Sequence, residues 1–280
     1  EVLEGLEPVR RHPAMYIGGS DEYAMHHLAA ELLDNSMDEA VAGHANRIEF
    51  DLATDGTVTI RDNGRGIPID SHPKFNDKSA LEVVMTTLHS GGKFSNKVYD
   101  TSGGLHGVGL SVVNALSDLM TIEVARDKTL YVQDYSKGVP TGKLRNEGTV
   151  RRRGTSVVFH ADPEIFGLKS RFLPNTLYKM ARSKAYLYKG VEIRWSCSPD
   201  LIKGKDDTPE IETLHFPNGL SDYLVTRLNG RETIINNSFF GESKLNGNGG
   251  RVEWALAWPE DGEGSLVSYC NTVRTHEGGT

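Results

Sequence analysis

Apolar residues recur at helical spacing along residues 23–41, and this pattern predicts a long amphipathic helix. At about 100° of rotation per residue, Ala29, Leu33 and Met37 fall on one side, which we expect to face a core. Gly43 follows and provides a stop at the C-terminal end. The start of the chain, by contrast, mixes prolines and glycines and is expected to be a connecting arm with a short helix at most.

Alternating apolar and polar residues predict two strands next, at 47–53 and 57–61, and Asp55-Gly56 between them is a strong hairpin signal. The same reading predicts helices at 80–89, 110–116, 173–188 and 220–228, and strands at 120–126, 129–135, 155–160, 191–196, 211–216, 251–258 and 265–271. A loop rich in Gly and Asn is expected at 241–250, and the three arginines at 151–153 are expected to form a solvated turn.

The polar side of the first helix carries Glu31, Asn35 and Asp38 within a sector of roughly 60°. A solvated face is the plain alternative, but such a face usually mixes basic residues with its acids, and the next basic residue is Arg47. An amide oxygen such as that of Asn35 suits Mg²⁺. Glu31 would then be available to hold a water as a general base. This strip indicates one half of a nucleotide site.

The segment DNGRGIP follows the second predicted strand and suits a flat ligand. A buried carboxylate at a strand end, here Asp62, needs donors, and the exocyclic amine of adenine supplies one. Arg65 can stack its guanidinium on a ring, and Ile67 and Pro68 can form an apolar floor. The plain alternative is an ordinary Asn-Gly turn.

Residues 103–109, GGLHGVG, form a Gly-rich stretch that enters a predicted helix. Backbone N–H groups in such a loop commonly hold phosphates. It is not a Walker A loop, because no Gly-Lys-Ser/Thr follows. Such a loop alone is weak evidence, but its position after the two preceding motifs strengthens the nucleotide hypothesis. His106 within it is expected to be structural, and the adjacent His26 and His27 point to different faces, which disfavours a metal pair.

Composition narrows the class of protein. The 280 residues are 38% hydrophobic and 25% charged, as in an ordinary globular protein, and no apolar run is long enough to cross a membrane. Two distant cysteines favour a reducing cytoplasm over a disulfide framework. The net charge of −7 argues against direct DNA binding through this segment. No signal peptide is visible, and we expect the chain to be a piece of a longer protein.

The three motifs in this order resemble the GHKL ATPase family, which contains gyrase B-type topoisomerases, Hsp90 chaperones, histidine kinases and MutL repair proteins. The segments VRRHPAMYIG, ELLDNSMDEAVAGHA, DNGRGIP, GGKFSNKVYDTSGGLHGVGLSVVNALS and GTSVVFH are more specifically similar to the ATPase subunits of bacterial type IIA topoisomerases. GGKFSNK and YDTSGG look more like the topoisomerase IV type than the gyrase type. The resemblance covers essentially the whole chain.

The resemblance implies an α+β fold, the GHKL (Bergerat) ATPase sandwich, in which a mixed and largely antiparallel sheet carries helices on one face. It places an ATP-binding domain at 1–217 and the beginning of a transducer domain at 218–280. It also implies that Glu31 is the general base, that Asn35 is the Mg²⁺ ligand, and that Asp62 binds the adenine amino group with help from Thr155. The other implied ATP-binding residues are Asp38, Glu39, Arg65, Gly66, Ile67 and Pro68, with Lys93, Tyr99, Gly103, Gly104, Leu105, His106, Gly107, Val108 and Gly109 in the lid and phosphate loop.

Further expectations follow from the same resemblance. Arg65 is expected to pair with Glu39, and Arg126 to line the outer mouth where coumarin-type inhibitors bind in this family. Asp100 stands where gyrase B has a lysine in the lid, which puts one phosphate contact in doubt. The chain is expected to bind ATP and Mg²⁺, to hydrolyse ATP slowly and to be monomeric.

The intact ATPase subunit is expected to dimerise with ATP as a gate for DNA strand passage, together with a DNA-cleaving A-type subunit, in the cytoplasm. Three alternatives stay open. They are the ATPase subunit of a gyrase, another GHKL ATPase such as a chaperone, kinase or MutL-like protein, and a non-enzymatic nucleotide sensor in which Glu31→Gln would change nothing but binding.

Overall fold

The computed structural model describes residues 4–72, 75–90, 109–204, 207–245, 250–270 and 273–275. The helices are α1 (Glu7–Arg11), α2 (Ala14–Ile17), α3 (Glu22–Val41), α4 (Ala80–Thr86), α5 (Gly109–Ala115), α6 (Pro163–Phe166), α7 (Pro174–Leu187), α8 (Pro199–Ile202) and α9 (Leu220–Leu228). The strands are β1 (Arg47–Leu52), β2 (Val58–Asp62), β3 (Ser71–His72), β4 (Phe75–Ser79), β5 (Ser117–Arg126), β6 (Thr129–Ser136), β7 (Val139–Pro140), β8 (Arg145–Thr149), β9 (Gly154–Ala161), β10 (Glu192–Cys197), β11 (Ile211–His215), β12 (Phe239–Lys244), β13 (Arg251–Leu256), β14 (Ser268–Cys270) and β15 (Val273–Thr275).

One large sheet organises the molecule. Among the described residues it has nine strands in the order β11-β10-β1-β2-β9-β5-β6-β7, and β8 also pairs with β6. β1 runs parallel to β10, and the other pairs within the sheet are antiparallel. The expected mixed and largely antiparallel sheet is therefore confirmed.

The two faces of the sheet differ because apolar and polar side chains alternate along each strand. In β1 the side chains of Ile48, Phe50 and Leu52 are buried under helices α3, α5 and α7, which pack on this face. The opposite face carries charged side chains, and Arg61 Nη1 lies 3.4 Å from Glu49 Oε2 on the neighbouring strand. Helices on one face of the sheet are thus confirmed as well.

Helix α3 begins where the sequence provides an N-cap. The Asp21 carboxylate accepts a hydrogen bond of 2.8 Å from the backbone N–H of Ala24. Leu28, Leu33 and Met37 on its apolar side are buried in the core. The predicted helix at 23–41 is therefore present, one residue longer at its start.

Two local predictions were wrong, and a third was incomplete. The opening segment is not a connecting arm, because α1 buries Val9, and Arg10 donates hydrogen bonds to Ala115 O and to Asp162, each at 2.7 Å. Part of the predicted loop at 241–250 belongs to strand β12, which pairs with β13.

The run of arginines at 151–153 is also more than a solvated turn. Arg152 forms an ion pair with Glu123, and Arg153 donates hydrogen bonds to Asn63 O and His44 O at 3.0 and 3.1 Å. In each of the three segments long-range partners decide the structure, and a local pattern does not contain them. In the part of the chain described here, no helix is both long and apolar enough to span a membrane.

Candidate functional site

Asp62 ends β2 inside the protein, and its side chain is only 7% exposed. Oδ1 accepts hydrogen bonds from the backbone N–H groups of Gly64 at 2.8 Å and Thr155 at 3.3 Å, while the Ser36 hydroxyl donates to Oδ2 at 3.4 Å. Burial raises the pKa of the Asp62 carboxyl to about 6, the nearby charge of Glu39 adds to the rise, and the hydrogen bonds oppose it. A carboxyl held in this way can accept one further donor from a ligand.

Glu39 and Arg65 form the wall beside Asp62. Glu39 Oε1 lies 2.7 Å from Arg65 Nη2, and Oε2 accepts from the backbone N–H of Arg65 at 3.0 Å and from Nε at 3.2 Å. The expected pairing of Arg65 with Glu39 is therefore present. Because both carboxylate oxygens hold the same residue, the arginine is fixed in backbone and side chain.

Glycines let the turn approach the sheet. Gly66 has φ of +79°, and a Cβ there would come within 3.1 Å of Val124 Cγ1 and 3.3 Å of Ala125 O. Arg126 Nη1 donates to Gly66 O at 2.9 Å, which ties the residue predicted at the mouth to the turn itself. Ile67 is half-buried against the core, and Pro68 is exposed.

Thr155 connects the turn to β9. Its hydroxyl accepts from the backbone N–H of Ile67 at 3.3 Å, and its own N–H donates to Asp62. Gly154 precedes it with φ of +110°, and any Cβ at that position would overlap the Asp62 carbonyl oxygen. Glycine is therefore required at position 154 by the close approach of two strands, independently of any contact with a ligand.

The second end of the site lies on α3. Asp38 is buried, and Glu31 and Asn35 are half-buried. The Glu31 carboxylate packs against Gly109 so closely that a Cβ there would overlap it. Gly109 begins α5, so the last glycine of the Gly-rich stretch and the proposed base are in direct proximity.

Asn35 has an unusual environment. Its Nδ2 atom is buried and has no hydrogen-bond partner among the residues that the structure describes. A buried amide group without a protein partner is uncommon, since nearly all such groups are satisfied. The oxygen and nitrogen of an amide are assigned from their hydrogen bonds, so either end of this group could face a ligand.

The remaining predicted residues lie outside the described residues. They are Lys93, Tyr99, Gly103, Gly104, Leu105, His106, Gly107 and Val108, and Asp100 lies there too.

Sequence reasoning missed an ion pair beside the site. Lys184 on α7 lies with Nζ 2.6 Å from Asp34 Oδ1, next to Asn35 in the chain. The pair joins residues far apart in sequence, and no local signal could have indicated it.

Comparison with known proteins agrees with this geometry. A family model described as histidine kinase-, DNA gyrase B-, and HSP90-like ATPase matches residues 20–165. A second model, described as DNA gyrase B, matches residues 219–280. The 43K ATPase domain of Thermus thermophilus gyrase B, solved in complex with an aminocoumarin, aligns with a TM-score of 0.80 at 35% identity, covering 96% of this chain and 66% of that chain.

Curated relatives extend the comparison. The B subunit of DNA topoisomerase 4 from Caulobacter vibrioides is 56% identical over all of this chain and 41% of its own length. That of Bartonella bacilliformis is 54% identical, with 40% of its length covered. The corresponding DNA gyrase protein of Staphylococcus aureus is 41% identical, with 42% of its length covered. The chain thus spans about two fifths of the length of these relatives.

Proposed function

Because the chain belongs to the family of histidine kinase-, DNA gyrase B- and HSP90-like ATPases, we propose that it binds ATP at Asp62 and hydrolyses it with Glu31 as the general base. One observation carries the proposal. The buried Asp62 carboxylate is held by two backbone N–H groups at the end of β2, and it can accept one more donor.

The adenine end of the proposed site recognises the amino group of the base. The exocyclic amine of adenine would donate to Asp62, with Thr155 assisting through water. Glu39 fixes Arg65 in place, so its guanidinium provides a preformed flat surface beside the ring, with Ile67 and Pro68 nearby. Gly66 allows the turn to lie close to the sheet, and Arg126 holds that turn from the outer side.

At the other end Glu31 would act on water. Its carboxylate would accept a proton from the water as the water oxygen attacks the γ-phosphorus, and the bond to the bridging oxygen would break to release ADP. Asp38, Lys93, Tyr99 and residues 103–109 complete the proposed ATP contacts. Gly109 is the member of that loop whose packing against Glu31 supports the arrangement.

Mg²⁺ is the proposed companion of ATP. The buried amide nitrogen of Asn35 has no hydrogen-bond partner among the described residues, so this amide is available to a ligand. Its oxygen, together with the carboxylates of Glu31 and Asp38 on the same helix, is of the kind that Mg²⁺ prefers. We assign Asn35 as the protein ligand, with the rest of the coordination left to water and phosphate oxygens. Bound there, the ion would neutralise phosphate charge.

For the longer protein we propose the role of the ATPase subunit of a topoisomerase IV. Identities of 54–56% to the DNA topoisomerase 4 proteins, against 41% to the gyrase protein, support that type over the gyrase type. The proposal includes ATP-dependent homodimerisation as a gate, an A-type DNA-cleaving partner, duplex DNA as the substrate and a cytoplasmic location. Within this chain it includes an ATP-binding domain at 1–217 and the beginning of a transducer domain at 218–280.

Glu31→Gln separates binding from chemistry. The variant is expected to bind a non-hydrolysable ATP analogue with Mg²⁺ within about threefold of the wild-type affinity, and to lose at least about a hundredfold in phosphate release. Glu22→Gln, at the start of the same helix, is the matched control and should hydrolyse ATP at the wild-type rate. Slow turnover is expected for this chain, so phosphate release is followed at high protein concentration. Equal hydrolysis by wild type and Glu31→Gln would contradict the role of Glu31.

A further inference from the structure

Strands β2 and β9 stop pairing at the point where the proposed adenine site begins. Their paired register ends at Arg61 and Ser156. Beyond that pair, the backbone N–H of Thr155 donates to a side-chain oxygen, Asp62 Oδ1, at 3.3 Å. Because the regular ladder has ended here, other contacts must position the turn at 63–66 relative to the start of β9.

Arg153 provides such a contact through its guanidinium group. Its Nε donates to the carbonyl oxygen of Asn63 at 3.0 Å, and its Nη2 donates to the carbonyl oxygen of His44 at 3.1 Å. Asn63 lies in the turn after β2, and His44 lies in the loop after α3. A guanidinium is planar and its donors point in fixed directions, so one that binds two carbonyl groups fixes their separation. We call these two hydrogen bonds the Arg153 clamp.

The His44 end of the clamp leads back to helix α3. The backbone N–H of His44 donates to Glu39 O at 2.9 Å. The carboxylate of Glu39 in turn holds Arg65, with Oε1 at 2.7 Å from Nη2. The turn at 63–66 is therefore held at two points, at Arg65 by Glu39 and at Asn63 by Arg153, and both contacts lead to the C-terminal end of α3.

The side chain of Asn63 holds the turn on the side of β1. Its Oδ1 accepts hydrogen bonds from the backbone N–H groups of Asn46 at 2.9 Å and Arg47 at 3.0 Å, and its Nδ2 donates to Asn46 Oδ1 at 2.7 Å. These bonds occupy the side chain of Asn63, whereas its carbonyl oxygen accepts from Arg153. The position of the turn relative to β9 thus depends on the clamp and on the bond between Thr155 and Asp62.

The clamp lies at the surface, while the groups that it positions are buried. Arg153 is exposed, so its hydrogen bonds replace bonds to water and contribute little to the stability of the whole fold. Asp62 and Thr155 are 7% and 9% exposed. Loss of the arginine therefore removes a restraint on the turn and leaves the core intact.

We propose that Arg153 is a positioning residue of the adenine site, which holds the turn at 63–66 against β9 so that Asp62 faces the amino group of the base. Gly64 and Thr155, the two backbone donors to Asp62, lie on the two segments that the clamp joins. Without the clamp the turn gains freedom that the nucleotide must then restrict, and affinity falls. This inference rests on the proposed function for its nucleotide half only.

Amide hydrogen exchange of the full 280-residue chain, without nucleotide, tests the clamp first. In Arg153→Gln, the amides of Gly64 and Thr155 should exchange about fivefold faster, with an unchanged midpoint of denaturation. Arg151→Gln removes the same charge from an exposed neighbour and should exchange at wild-type rates. Arg153→Lys keeps the charge but lacks the fork that binds two carbonyl groups, so its rates should lie in between. Wild-type rates in Arg153→Gln would overturn the proposal.

Calorimetric titration and steady-state ATP hydrolysis test the nucleotide half. Arg153→Gln should bind a non-hydrolysable ATP analogue with Mg²⁺ about fivefold more weakly and raise KM by the same factor. Its kcat should stay within about twofold of wild type, because Glu31 lies at the other end of the site. Arg151→Gln should match the wild type in each measurement.

The outcomes separate this inference from the proposed function. Equal weakening by Arg153→Gln and Arg151→Gln would show an effect of charge alone, and a fall in kcat together with the midpoint of denaturation would show general loss of stability. Either result overturns the inference, as does an analogue that binds Arg153→Gln as tightly as wild type, and all three leave the proposed function standing. If no analogue binds the wild type, the proposed function fails and the role of Arg153 at the adenine site fails with it, while the exchange rates still decide whether the clamp holds the turn.

Discussion

The two ends of this chain bury their apolar side chains to very different degrees. In the described part of the chain, no hydrophobic residue after Leu214 belongs to the buried core. Trp195 on β10 is 1% exposed, whereas Trp258, just after β13, is 45% exposed. Phe239 and Phe240 on β12 are likewise largely exposed. The N-terminal part, up to His215, has a core of its own, whereas the described residues of the C-terminal unit, which spans 218–275, include no buried hydrophobic side chain.

This difference indicates where stability and chemistry reside. The described site residues lie on α3, β2, β9 and the adjoining turns, all of which are set in the core. Rigid surroundings of this kind hold Asp62 and Arg65 in place before a ligand arrives. The C-terminal unit is held by pairing of β12 with β13 and by contacts with α7. Because few of its side chains are buried, we expect it to be the less stable of the two parts.

The largest expected effect comes from exchanging tryptophans for alanine in the two parts. Trp195 packs edge-on against Phe50 at 5.3 Å, and its indole N–H donates to Pro209 O at 2.9 Å. Trp195→Ala should reduce the free energy of unfolding by about 3–5 kcal/mol, because it leaves a cavity in the core. Trp258→Ala should cost about 1 kcal/mol or less. Urea denaturation followed by circular dichroism measures both, and equal losses would refute the contrast between the two parts.

Two glycines provide a second comparison of the two parts, with a smaller expected loss of stability. Gly154 and Gly230 both have positive φ, but a Cβ at Gly154 would overlap the backbone of Asp62, whereas a Cβ at Gly230 meets nothing within 4 Å. Gly230→Ala should therefore cost about 1 kcal/mol for its backbone conformation alone. Gly154→Ala should cost about 3 kcal/mol because the strands must also separate. Thermal denaturation of the two variants provides the comparison, and a ranking in the opposite order would contradict it.

The pKa of Asp62 predicts that the stability of the N-terminal part depends on pH. Folding raises the pKa of its carboxyl from 3.8 to about 6, because burial disfavours the ionised form. The folded state therefore binds this proton more tightly than the unfolded state. The resulting stability is present below pH 3.8 and is lost as pH rises through about 6.

Asp62→Asn removes the ionised group. The variant should be more stable than the wild type by about 2–3 kcal/mol at pH 8, and the difference should shrink towards pH 4. Asp127→Asn, at a site that is almost fully exposed, serves as the control and should show no such trend. A variant that is less stable than the wild type at pH 8 would show that the ionised carboxylate does not destabilise the folded protein.

Much of the N-terminal part could be predicted from local pattern. The alternation in β1 and β2 and the helical spacing of α3 were correct to within a residue or two, because each of these elements has one fully buried face. The short strands β3, β4, β7 and β8 were missed. They are too short or too polar to show a period, and β8 has no buried residue.

Long-range partners explain the other differences. Asp62 was predicted to be a buried carboxylate, but the N–H of Thr155 and the hydroxyl of Ser36 that hold it come from other elements. The ion pair between Lys184 and Asp34 could not be predicted without knowing the fold. The second half of β12 was predicted as loop because residues 241–250 are rich in Gly and Asn. Its strand form depends on pairing with β13, where Gly241 makes room for the ring of Trp254.

Calorimetric titration shows whether Asp62 recognises adenine, as proposed above. A non-hydrolysable ATP analogue with Mg²⁺ is titrated into the wild type, Asp62→Asn and the Asp127→Asn control at pH 8. We expect binding to the wild type and the control, and at least about tenfold weaker binding to Asp62→Asn, because a neutral amide replaces the charged acceptor of the adenine amine. Equal affinity of all three proteins would mean that the nucleotide does not contact Asp62.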